Sequence, residues 1–138
     1  MMNVFSIMNI SASGMTAQRF RIDIIATNIA NAETTRTPKG GPYRRKIPIF
    51  AEYVREYIGG REIDGVKVVK VVEDDSYRLV YDPDHPDADE NGYVKMPNVN
   101  VLREMVDLIN AQRAYEANVS VFNSVKTMAN SALQIGRT

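Results

Sequence analysis

Val101-Leu-Arg-Glu-Met105-Val-Asp-Leu108-Ile-Asn-Ala-Gln112-Arg-Ala-Tyr115-Glu-Ala-Asn-Val119-Ser-Val-Phe122-Asn-Ser-Val-Lys126-Thr-Met-Ala129-Asn-Ser-Ala-Leu133 is the stretch on which the fold turns. Val101, Met105, Leu108, Gln112, Tyr115, Val119, Phe122, Lys126, Ala129 and Leu133 follow one another at alternating steps of four and three. That spacing is the seam of a coiled-coil helix. The N-terminus carries a matching pattern. Met8, Met15, Ile22 and Ile29 recur every seven residues, with Ser11, Gln18, Ile25 and Ala32 between them. Two terminal helices with apolar seams must pair with each other or with neighbours, because long amphipathic helices are not stable alone.

The chain between them has another texture. Tyr43 to Phe50 alternates loosely and predicts a short edge strand containing Pro48. Gly59-Gly60 and Asp64-Gly65 are turn signals. Val66-Lys-Val-Val-Lys-Val-Val72 is the strongest strand pattern, and Tyr77 to Tyr81 reads as its hairpin partner across Asp74-Asp75-Ser76. Asp82 to Gly92 is an acidic, proline-containing loop, and Tyr93 to Met96 a further short strand. The expected fold is α+β: long terminal helices pairing as a coiled-coil-like hairpin, with a small β-rich insert. The expected divisions are 1–37, 38–98 and 99–138.

Local signals set the helix ends. The first helix is expected from about Asn3 to Glu33, with Ser11-Ala-Ser13-Gly14 kinking it or restarting it. Thr34, Thr35, Thr37 and Pro38 end it. Asn98 or Asn100 caps the second helix, Glu104 sits near its positive end, and Gly136 stops it.

Composition narrows the function. With 138 residues, 44% hydrophobic and 25% charged, the chain is an ordinary globular sequence. Seventeen basic and seventeen acidic residues cancel, so no broad attraction to nucleic acid is expected. Zero cysteines and one histidine, His85, preclude disulfides, thiolate ligands and histidine-based metal or acid–base sites. No phosphate-loop, dinucleotide or nucleophile-elbow motif is present, so no cofactor, small-molecule substrate or enzymatic reaction is expected. Asp82, Asp84, Asp87 and Asp89 lie in a loop that offers no shaped cleft for paired-carboxylate catalysis. No apolar run reaches the roughly 18–20 residues of a bilayer span, and residues 1–10 lack the basic start of a cleaved secretory signal.

Three features carry interaction chemistry. Gln18 and Gln112 put amides into apolar seams, where they either fix register or lie wetted at the edge. Asn28 and Asn31 either bond across a helix interface or fray toward the loop. Ala111, Ala114 and Ala117 form a thin flank that lets another helix approach closely. Candidate assembly positions are therefore Met8, Met15, Gln18, Ile22, Ile25, Asn28, Ile29 and Asn31 on the first helix. On the second they are Met105, Leu108, Gln112, Tyr115, Asn118, Val119 and Phe122. A rival reading is a soluble calcium-responsive coiled-coil module. Asp87, Asp89, Asn91 and Gly92 match half of a calcium loop, but Asn98 replaces its bidentate Glu and no entering helix precedes it.

Ser13-Gly-Met-Thr-Ala-Gln-Arg19 with Ala26-Thr-Asn-Ile-Ala-Asn-Ala-Glu-Thr34 resembles the N-terminal signature of bacterial flagellar rod and hook axial proteins. Met105 to Asn118, with Arg113-Ala-Tyr-Glu-Ala-Asn118, resembles their C-terminal signature. Gly41-Pro-Tyr-Arg44, Val66-Lys-Val, His85-Pro-Asp-Ala-Asp89 and Asn91-Gly-Tyr-Val-Lys-Met-Pro-Asn98 are similar to the short proximal-rod members. Phe20 to Ile25 is more β-branched and charged than the family's Ala-rich version, and Thr34 to Gly41 falls in its variable loop. The resemblance implies a structural subunit of the proximal rod in the basal body, crossing the periplasm and transmitting torque. It implies export by the flagellar type III apparatus without a cleaved signal peptide. The implied partners are sister copies, other rod subunits and rod-associated basal-body proteins, with the terminal helices packed inside and the β-rich insert outside.

Overall fold

A computed structural model of the chain describes residues 4–57 and 60–137, and the side chains of these except 53–57 and 60–64. The element order is α1 (Val4–Ala30), β1 (Arg45–Tyr57), β2 (Gly60–Asp74), β3 (Tyr77–Tyr81), β4 (Tyr93–Pro97) and α2 (Val101–Gly136). The α+β expectation holds: two long terminal helices enclose a small antiparallel insert. At 1.5 Å per residue the helices are roughly 40 and 54 Å long. Gly14 of α1 abuts Asn118 of α2, while Ile25 and Asn28 share a groove with Glu104 and Asp107. The helices therefore run antiparallel.

Their ends follow local chemistry. Asn100 is the N-cap of α2, its side-chain oxygen accepting from the Arg103 N–H at 3.2 Å. The expected glycine stop is replaced: Gly136 is still helical, and Arg137 closes the helix in a right-handed conformation. Ser11-Ala-Ser13-Gly14 does not restart α1, which is one unbroken helix from Val4 to Ala30. The Ser13 hydroxyl donates to Ile10 C=O at 2.7 Å, the local back-bond that lets a serine sit inside a helix. The expected start of α1 near Asn3 and the Gly59 turn signal lie outside the described residues.

The insert is two separate two-stranded sheets, β1–β2 and β3–β4. This corrects the expected pairing of Val66–Val72 with Tyr77–Tyr81. β1, at 13 residues, satisfies β2 along its length, so β2 has no use for the five residues of β3. The chain turns between the sheets where Asp74 Oδ1 accepts from both Ser76 N–H (2.9 Å) and Ser76 Oγ (2.5 Å). Asn98 ties this turn to the entry of α2 by donating to Ser76 Oγ at 2.8 Å. β3 then pairs with β4, from Tyr77 opposite Pro97 to Tyr81 opposite Tyr93. Pro48 is tolerated inside β1 because both strands of a two-stranded ribbon are edges.

Two register shifts bend the β1–β2 ribbon. One leaves Val69 as the extra residue between the Ile49·Lys70 and Phe50·Val68 pairs. It brings Lys67 and Lys70, three residues apart, onto one face. The other leaves Asp64 unpaired beside Gly65, which is buried with φ +133°. The Asp64-Gly65 signal is thus a bulge rather than a turn. The bulge seats the ribbon on α1: Val66 N–H donates to Ser13 Oγ at 3.0 Å, and a Cβ on Gly65 would fall 2.1 Å from that oxygen.

Gly65→Ala is expected to lift the ribbon off α1, since strain at positive φ and the clash with Ser13 both act there. Amide exchange at Val66 reports it. Protection should fall at least tenfold in the variant, while exchange within β3–β4 stays as in the parent.

Candidate assembly interface

The face that α2 turns toward α1 is one residue out of phase with the face read from the seam. Its buried and half-buried positions include Glu104, Leu108, Ala111, Tyr115, Asn118, Phe122, Val125 and Ala129, again at steps of four and three. Leu108, Tyr115, Phe122 and Ala129 belong to both sets. Elsewhere Glu104, Ala111 and Val125 are buried where Met105, Gln112 and Lys126 were expected, and those three are exposed. Asn118 and Val119 are both half-buried. The two phases differ in which polar groups they bury: the expected one takes in Gln112 and Lys126, whereas the observed one takes in Asn118 and Glu104, the latter partnered by Arg45, and puts Ala111 and Val125 in place of the amide and the ammonium. Ala111, fully buried, and Gly14 let the backbones approach closely; a Cβ on Gly14 would meet the Asn118 amide at 3.0 Å. Ala114 is half-buried in the same face and Ala117 is exposed.

α1 keeps its expected seam and gains a second one. Ser11, Ile25 and Ala32 are buried, and Met8, Met15, Gln18, Ile22 and Ile29 half-buried. Burial extends to Ala17 and Asn28 because α1 contacts both α2 and the β1–β2 ribbon. The Gln18 side-chain oxygen is buried with no hydrogen-bond partner, so it lies inside the seam. Gln112 lies outside it.

Asn28, 1% exposed, is the hub of a polar lock. Its Oδ1 accepts from Tyr43 OH (2.8 Å) and Lys46 N–H (2.9 Å), and its Nδ2 donates to Lys46 C=O (2.8 Å). One side chain thereby fixes the end of α1 to the start of β1. Asn31 stays local, donating to Thr27 C=O and accepting from Thr34 Oγ1. Beside the lock, Arg45 pairs with Glu104, which is 2% exposed, through one carboxylate oxygen; the other oxygen has no partner. Glu104 thus serves α2's positive end and also anchors β1. Arg36, Lys39 and Arg44 pair with Asp87 (2.5 Å), Glu73 (3.4 Å) and Asp75 (2.8 Å), so these basic residues after α1 are neutralised from two other parts of the chain, the loop 82–92 and the end of β2 with its following turn.

The calcium-loop alternative finds no support in the loop's geometry. Asp87 accepts from Thr35 Oγ1 (2.6 Å) as well as Arg36, and these donors hold its carboxyl below the usual carboxylate range. Asp89 Oδ1 accepts the Asn91 and Tyr93 N–H groups, both at 2.9 Å. Carboxylates oriented by protein donors in this way do not converge on a common cation position.

What sequence reasoning missed is the outer face of α2. Val101, Leu102, Met105, Val106 and Ile109 are exposed along its first half, and Val121, Met128 and Ile135 recur every seven residues along the second. The signal was present: Leu102, Val106 and Ile109 are apolar yet fit no position of the seam. With Gly14 level with Asn118, α2 also continues past Val4 by roughly 10 Å, and Leu133 there is 69% exposed. Among the described residues no helix is long and apolar enough to cross a membrane.

Two expected outcomes follow from the lock. Asn28→Ala strands Tyr43 OH and Lys46 N–H and should cost about 2–3 kcal/mol, read by denaturant unfolding. Tyr43 titrates above its ordinary 10.0, because burial and then the charges of Glu73 and Glu104 disfavour phenolate. A raised folded value means that the stabilisation is complete below pH 10.0 and is lost as pH rises through the folded pKa. Unfolding of the parent should steepen above that pH, and Tyr43→Phe, slightly less stable at neutral pH, should flatten the slope.

Residues 8–36 match the family described as "Flagella basal body rod protein", and residues 90–135 match "Flagellar basal body rod FlgEFG protein C-terminal". These spans coincide with most of α1 and α2. The "Flagellar basal-body rod protein FlgC" of Borreliella burgdorferi is 48% identical, with 97% of this chain and 98% of the relative covered. Those of Bacillus subtilis and Salmonella typhimurium are 45% and 42% identical, each with 99% of this chain and all of the relative covered. Similarity of this extent, across both helices and the insert, shows that the chain belongs to the FlgC family of flagellar basal-body rod proteins.

Proposed function

We propose that this chain is a structural subunit of the flagellar rod that polymerises through its terminal helices into a torque-transmitting shaft across the periplasm. The observation that carries this reading is the double-sided character of α2. Its inner stripe is filled within the chain by α1, and its outer stripe, from Val101 to Ile109, is left exposed. Apolar patches of this kind on a helix mark contacts to further molecules. Relatives matched over nearly their whole length are rod proteins by name, which directs those contacts to other rod components.

Assembly in this reading is heterologous: the outer stripe of one copy meets a different surface of the next, so growth is open-ended. Stiffness then comes from close-packed helix contacts, which deform little. Sister copies, neighbouring rod subunits and the type III export apparatus are the proposed partners. The divisions 1–37, 38–98 and 99–138 are proposed as two halves of an axial core around an outward insert. Among the expected interface positions, Ile25 and Asn28 act within the chain, whereas Met105 and Gln112 face outward and are the ones assigned to neighbours.

Ile109→Asp tests this, because Ile109 is 49% exposed and plays no part in the inner seam. The purified variant should keep the parent's circular dichroism, and cells carrying it as their sole copy should lack rods and motility. Intact basal bodies and normal swimming in those cells contradict the proposal.

A further inference from the structure

The β3–β4 sheet has a face that the helical interface does not use. Val94, fully buried, and half-buried Val80 and Met96 turn inward. Tyr77, Leu79, Tyr81, Tyr93 and Lys95 are all exposed. Their register places them side by side, Leu79 opposite Lys95 and Tyr81 opposite Tyr93. The side chains are ordered against one another: the Tyr81 and Tyr93 rings meet edge to face at 5.3 Å, and Lys95 Nζ lies 4.9 Å above the Tyr77 ring. Rigid tyrosines are the side chains enriched at interface centres, and Lys95 among them has no acidic partner among the described residues. Two grooves walled by Gly41 and Pro42 flank Lys95, and the carboxylates that line them are already engaged, Asp87 by Arg36, Asp75 by Arg44 and Asp89 by backbone N–H groups.

The same chain carries a surface of opposite character. The loop 82–92 is held rigidly by its own bonds: Asp82 N–H to Gly92 C=O, Asp89 N–H to Tyr93 C=O, and Asp87 N–H to His85 Nδ1, at 2.9 to 3.0 Å. Gly92, at φ +83°, closes it against Pro83 and Tyr81. Asp87 and Asp89 point at internal donors, whereas Asp84 and Glu90 are exposed on the loop's surface. The loop holds no Lys or Arg. It is a preformed acidic knob with two exposed prolines, Pro83 and Pro86.

Resting on the assembly reading above, we propose that the acidic knob of one copy docks on the Tyr/Lys95 face of the next copy in the rod. Charge complementarity favours a sister copy: Asp84 and Glu90 of the knob meet Lys95, and its prolines lie on the tyrosine rings. Knob and face are different surfaces of one chain, so the contact is head-to-tail and continues along the array. Both surfaces are preorganised, which lowers the ordering cost of the contact.

The chain has no cysteine, so an introduced thiol is the only one on this chain. Asp84→Cys and Lys95→Cys chains are co-produced in cells lacking the parent, and intact basal bodies are treated with a short bis-maleimide. The expected product is a cross-linked dimer from the mixed cells and none from either variant alone. Rods that form without that dimer, or a product that joins Lys95→Cys to a different rod protein, overturn the proposal while leaving rod assembly intact. A second readout uses charge. Lys95→Glu should lower rod number at least tenfold with export into the periplasm unchanged, and adding Asp84→Lys and Glu90→Lys in the same chain should restore it. Unaltered rods in Lys95→Glu, or a loss that the added lysines leave unrestored, rule out the contact.

Discussion

Lys126 cannot be buried in an apolar seam without a partner, whereas Glu104 can, because Arg45 reaches its carboxylate. That constraint sets how α2 is turned about its own axis, and much of the molecule depends on that turn. By presenting Ala111 and Val125 to α1 in place of Gln112 and Lys126, the helix keeps its 4,3 rhythm and moves by one residue. Ala111 is fully buried in that face, and nearer the other end of the contact Gly14 lies against Asn118. Glu104 enters the same face and becomes the acceptor for Arg45. Met105, displaced by the turn, joins Leu102, Val106 and Ile109 on the exposed side.

The polar groups left near the seam are used to join elements. Asn28 holds the chain that leaves α1 against the first residues of β1, and Arg45, two residues after Tyr43, reaches back to α2. Removing either partner of a buried charge pair costs more than the pair contributes, because a lone charge remains. Ser13 and Gly65 make a third junction, between α1 and the bulge of β2. The ribbon is therefore attached to α1 by directional contacts beside a groove where Ile24 and Ile25 lie with Ile47, Pro48 and Phe50. Val66, Val69, Val71 and Val72 remain exposed.

The helices, the capping by Asn100, the insert and the strand Tyr93 to Met96 were legible because each rests on local pattern: heptad spacing, side-chain caps, alternation. The phase of α2 was not, because Leu108, Tyr115 and Phe122 satisfy both phases, and the choice between them rests on what faces Glu104, Ala111 and Val125. Strand pairing was misread for a related reason. Val66–Val72 and Tyr77–Tyr81 are adjacent with a turn between them, and sequence gave no sign that β1 would extend to Tyr57 as a longer partner. The role of Asn28 was left open between bonding and fraying; its burial depends on Tyr43 and Lys46 folding back over it. The family signatures lie on the same residues as the two helices, so the fold and the functional assignment were read from the same positions.

A helix committed on one side and available on the other suits a subunit that must hold its own shape and still join an array. Hydroxyl-radical footprinting of the isolated chain and of assembled rods addresses this directly, since oxidation reports side-chain exposure residue by residue. Leu108, Tyr115 and Phe122 should react weakly in both states, whereas Met105, Ile109 and Met128 should be reactive in the isolated chain and protected in the rod. Protection gained on assembly by the first group, with the second still reactive, would contradict the two-sided helix on which the account is built.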